Sequence, residues 1–235
     1  MLYARRGRAL LERGQTDPGL ADLARPEVAH ATHWQVLDWH AHACLARGDR
    51  AGYRRACAAL LARFSKTEDA AMANNVAWIC TLAPGAVADF RPVVRLAERA
   101  VDARKNSYEA LNTLGAALLR AGRYREAVAR LQEALARRGK YDTAADELLL
   151  ALAYQKLGQA DEARRWRERA TAWLERGQAP VRAAVLAGAG ASGPLALLPG
   201  LAGEAADPRK QQRGWAAWLE LQLLRREALF QGERP

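Results

Sequence analysis

Apolar positions around residues 108–137 recur with a helical period. Leu111, Leu114, Gly115 and Leu118 stand three and four apart, and so do Ala127, Leu131 and Ala134, with the polar turn AGR between the two sets. The spacing predicts two amphipathic helices joined at Gly122. The same wording returns downstream: LGAALLRAGRYREA aligns with LALAYQKLGQADEA, so that Gly115 and Ala151, Gly122 and Gly158, and Ala127 and Ala163 are each 36 residues apart. Self-similarity at that period predicts stacked helical hairpins. A glycine in mid-helix disfavours the helix by about 1 kcal/mol relative to alanine. At Gly115 it is expected to clear room for the second helix of the hairpin.

The pattern extends upstream in degraded form. One unit carries Gly7 in the small position, and a second carries Leu37, Ala41, Cys44 and Gly48. A third carries Val76 and Ala77, with an insert in its turn around Pro84–Pro92. In the last unit Arg167 takes an apolar position, which suits a terminal helix with one solvated face. Five units are expected over residues 1–176. The composition then changes to an Ala/Gly/Pro-rich linker over 177–208, uncharged from Ala183 to Gly203, and an amphipathic C-terminal helix over 209–235 containing Trp215, Trp218 and Leu224. That helix is expected to fold back on the array.

A small residue in the middle of the first helix, an aromatic or Leu three later, and small residues in the second helix resemble the tetratricopeptide repeat (TPR) family. The resemblance implies an all-α, right-handed α-solenoid of antiparallel helix pairs that binds proteins and makes or breaks no bond. It also implies a concave groove lined three residues before, and one after, each small residue. In this chain those positions are Asp38 and His42, Asn74 and Trp78, Asn112 and Ala116, and Leu148 and Leu152, with Asn75 beside them. Asparagine can both donate to and accept from a peptide backbone, and Trp78 offers a flat apolar anchor. Where TPRs that grip a C-terminal carboxylate place basic residues, this chain has Ala71, Glu109 and Thr113, which argues against that ligand. Stretches such as GDRAGYRRACAALLARF and NNVAWICTLAPGAV also look like the TPR tails of large bacterial proteins with eukaryotic-like Ser/Thr kinase or WD-repeat domains. That would make the chain a regulatory tail, although it has no HRD, DFG or VAIK-like motif of its own.

Charge adds a competing reading. The formal net charge is +10, and 31 of the 36 basic residues are Arg. An Arg-rich surface could serve nucleic acid. Interleaving with Glu, as in REAVARLQEALARR, argues instead for a solvated face that steers acidic protein segments. Three cysteines (Cys44, Cys57, Cys80) with no CxxC pair fit a reducing, cytoplasmic setting, and the charged N-terminus lacks a signal-peptide core. His40 and Cys44 stand at i, i+4, a spacing open to a metal. Their register equals that of Leu114 and Leu118, so buried packing is expected and no metal is assigned. Gly188, Gly190 and Gly193 match a dinucleotide fingerprint in spacing only, because Pro194 follows where a helix must open, so no cofactor is assigned. The uncharged run long enough to cross a bilayer is weakly hydrophobic, which argues against membrane insertion.

Overall fold

A computed structural model describes residues 2–12, 15–138, 144–172 and 223–228, and all regular structure among them is helical. The order is α1 (Leu2–Glu12), α2 (Thr16–Leu23), a 3₁₀ turn (Pro26–His30), α3 (Trp34–Ala46), α4 (Arg50–Phe64), α5 (Ala70–Thr81), α6 (Arg91–Ala103), α7 (Tyr108–Arg120), α8 (Tyr124–Arg137) and α9 (Ala144–Lys156). Helices over 160–172 (α10) and 223–228 (α11) follow. The expected linker 177–208 lies outside the described residues, as do the three linker glycines. Of the expected C-terminal helix only 223–228 is described.

Local chemistry explains where the helices begin and end. Asp49, Asp69 and Ser107 accept backbone N–H bonds at the starts of α4, α5 and α7 (Gly52 N, Ala71 and Met72 N, and Ala110 N). Gly122 and Gly158 follow α7 and α9 with φ of 79° and 74°, a left-handed conformation in which a Cβ is strained.

Each odd-numbered helix up to α7 packs along its successor, α1 on α2 through α7 on α8, and neighbouring pairs meet through α5 with α7 and α7 with α9. This is the expected TPR-like array of antiparallel pairs. The close-contact point is where the repeat places it. A Cβ on Gly115 would lie 2.6 Å from Leu131 Cγ and 3.3 Å from Leu131 N, so α8 could not keep its present distance. Gly7 does the same for α1 and α2, its would-be Cβ lying 2.8 Å from the Gly19 carbonyl oxygen.

The insert between α5 and α6 is held from below. The buried Tyr53 hydroxyl donates to the Ile79 carbonyl at 2.7 Å and accepts from Ala83 N at 3.3 Å. Leu82, Ala83 and Ala86 are buried there, so the longer turn belongs to the core. One apolar cluster runs from Ala4 to Ala170 and takes in Leu224 and Ala228 of α11.

Candidate functional site

The first helices of the pairs carry the expected groove positions, and their environments differ along the array. On α3, Asp38 is half-buried and pairs with His42 at 2.9 Å, while the His42 side chain is only 5% exposed. On α5, Asn75 and Trp78 are half-buried. Asn74 beside them is buried, and its Oδ1 has no hydrogen-bond partner among the described residues. On α7 and α9 little surface is left: Ala116, Leu148 and Leu152 are 0%, 0% and 1% exposed. Every residue from Ala110 to Leu119 is buried, as is every residue from Asp146 to Ala153. The groove positions therefore do not form one uniform surface. Partly open side chains lie on α3 and α5, and closed ones on α7 and α9.

Asn112 has an internal partner. Its Nδ2 donates to Asp146 Oδ1 at 2.5 Å, and the Tyr108 hydroxyl donates to Asp146 Oδ2 at 2.5 Å. Burial pushes the Asp146 carboxyl up to about 6, against the lowering effect of those two donors. Next to it, Glu147 pairs with Arg169 of α10 at 3.1 Å. Sequence reasoning passed over Asp146 and Glu147. The available signal was two adjacent carboxylates within the apolar run AADELLLALA, where unpaired charge is rarely buried.

The contrast between Asn74 and Asn112 follows from register. The position 36 before Asp146 is Ala110, so the next helix offers Asn74 no polar side chain where Asn112 finds a carboxylate. An unmet buried polar atom is disfavoured by about 1–3 kcal/mol.

The histidine–cysteine face is interior. His40 is fully buried with Nδ1 2.7 Å from the Leu23 carbonyl oxygen, and Cys44 Sγ lies 3.7 Å from its Nε2. Burial lowers the pKa of His40. Among the described residues no three His, Cys, Asp or Glu side chains gather as metal ligands. No described helix is long and apolar enough to cross a membrane.

Part of the Arg charge is answered locally, at and along α8 and α10. Arg123 pairs with Glu126 at 2.6 Å, Arg130 with Glu133 at 2.7 Å, Arg164 with Asp161 at 2.6 Å and Arg165 with Glu162 at 2.8 Å. Exposed pairs of this kind contribute little to stability.

Two arginines reach α11. Arg167 of α10, expected on a solvated face, is half-buried, and its Nη1 reaches the Ala228 carbonyl of α11 at 3.5 Å. Arg120, at the end of α7, is 5% exposed and pairs with Glu227 of α11 at 2.5 Å.

No protein-family description matches the chain, and no curated protein matches it. Among solved structures it is similar to MamA (AMB-1), at 19% identity over 73% of this chain and 96% of that one, with a TM-score of 0.46. MamA (MSR-1) is 19% identical over 74% and 95%, with a TM-score of 0.44. TTC0263, a thermophilic TPR protein of Thermus thermophilus, is 19% identical over 72% and 88%, with a TM-score of 0.45. The fold assignment itself rests on the helix pairs and their register.

Proposed function

We propose that the chain is a non-catalytic protein-interaction module, and that an extended segment of a partner protein binds across α3 and α5. The observation that supports this most directly is Asn74, whose buried Oδ1 lacks a hydrogen-bond partner among the described residues, beside the half-buried Asn75 and Trp78. A peptide backbone supplies the missing donor once the amide turns outward, and Trp78 gives an apolar side chain a surface to lie on. Asp38 and His42 on α3 continue the face. Ala116, Leu148 and Leu152, being closed, serve the packing of α7 and α9. The positive charge favours acidic partners and speeds their encounter at low salt.

The test is affinity capture with quantitative mass spectrometry, comparing wild type with Asn74→Ala/Trp78→Ala, both shown to be helical by circular dichroism. Partners lost from the variant alone are the expected result. An unchanged partner list would overturn the assignment of this face.

A further inference from the structure

We infer that the surface now covered by α11 is a second docking site. Its partner is a short amphipathic helix with apolar residues four apart and a carboxylate between them, and α11 occupies the site in cis. In α11 that pattern is Leu224, Glu227 and Ala228. Leu224 and Ala228 are 3% and 1% exposed against the array, and Glu227 reaches Arg120. Arg120 is built as an anchor. Its Nε donates to the Thr81 carbonyl at 2.9 Å, which fixes the guanidinium between α5 and α7, and Nη1 is left to take the carboxylate. A planar guanidinium held in this way suits a carboxylate better than a lysine would.

The cis occupant meets this surface incompletely. Arg120 Nη2 is buried with no hydrogen-bond partner among the described residues, so the guanidinium grips Glu227 through one nitrogen where two could serve. Beside α11 a cavity of about 370 Å³ remains, lined by Leu45, Arg50, Leu82 and Pro84 of the array and by Leu223 and Arg226 of α11. A partner helix can place a larger apolar side chain in that space and present its carboxylate to both nitrogens. It can therefore displace α11. Charge complementarity favours an acidic helix, since Arg50 and Arg120 of the array face this side. The inference does not depend on the Asn74 face.

A fluorescein-labelled peptide of residues 215–232 serves as the probe, titrated by anisotropy into the full chain. The Glu227→Arg full chain, with its cis contact broken, is expected to bind the wild-type peptide about tenfold more tightly than the wild-type chain does, because the closed form no longer competes. A peptide carrying Glu227→Arg is expected to bind poorly to that chain and to recover on an Arg120→Glu chain. A Leu223→Phe peptide is expected to bind more tightly by filling the cavity. Circular dichroism checks each chain. If Arg120→Glu does not fold, a Glu227→Gln peptide against the Glu227→Arg chain asks the same question, and weaker binding is expected. Equal binding to the wild-type and Glu227→Arg chains, indifference to the charge at position 227 of the peptide, or no binding at all would show that α11 is only a structural cap.

Discussion

Asn112 of α7 and Asp146 of α9 meet through a buried Nδ2–Oδ1 hydrogen bond of 2.5 Å, so the polar residue that looks most like a groove ligand joins two repeats. The corresponding residue one repeat earlier, Asn74, makes no such bond because Ala110 stands where Asp146 would be.

Truncation at these two sites is therefore expected to have different effects. Asn112→Ala strands a buried carboxylate oxygen and should lower stability by about 1–3 kcal/mol. Asn74→Ala removes an unmet acceptor and improves helix propensity, so stability should hold or rise by up to about 1 kcal/mol. Urea denaturation followed by far-UV circular dichroism measures both, and equal losses would contradict the assignment of roles.

Asp146 should also leave a pH signature. Its carboxyl sits at about 6 in the folded chain, chiefly through burial, above the ordinary value of 3.8. Between those values the folded state holds the proton more firmly than the unfolded one. Its contribution to stability is full below about pH 4 and is lost as pH rises through 6. Asp146→Asn cannot titrate, so the stability difference between wild type and variant should shift towards the variant from pH 4 to pH 7, at about 1.4 kcal/mol per pH unit of displacement. A difference independent of pH would show that Asp146 titrates normally.

Gly115→Ala sets propensity against packing. The new methyl gains about 1 kcal/mol of helix propensity but lies 2.6 Å from Leu131 Cγ. Overpacking of this kind costs about 1–3 kcal/mol, and the contact at 3.3 Å to the Leu131 backbone nitrogen limits side-chain escape. A net loss of stability is expected. In a Gly115→Ala/Leu131→Ala cycle the two losses should fall short of additive, because the second change removes the atoms that the first one strikes.

Thiol chemistry offers a check on the interior. Cys44, Cys57 and Cys80 are free and buried. Burial pushes Cys44 up to about 12, and Cys80, beside Cys57, is also raised well above its ordinary value. Titration with an aromatic disulfide reagent at pH 8 should find these thiols unreactive in the native chain and all of them reactive in denaturant. Fast labelling of native protein would mean that α3–α5 open readily.

The amino-acid sequence determined the helix pairs, because local chemistry carries them: apolar positions three and four apart, Ser and Asp caps, and Gly122 and Gly158 at the turns. It also determined the close-contact points, since a glycine at position 115 in register with Ala41, Ala77 and Ala151 has few other reasons to sit in mid-helix. Only the tertiary structure decided which polar residues remain available. Asn74 and Asn112 are the same residue in the same register, and their difference is made by Ala110 and Asp146, each on the first helix of the following pair. The role of Arg120 depends in the same way on Glu227, 107 residues away along the chain. Side-chain partners between repeats depend on pairwise distance, which periodicity does not encode.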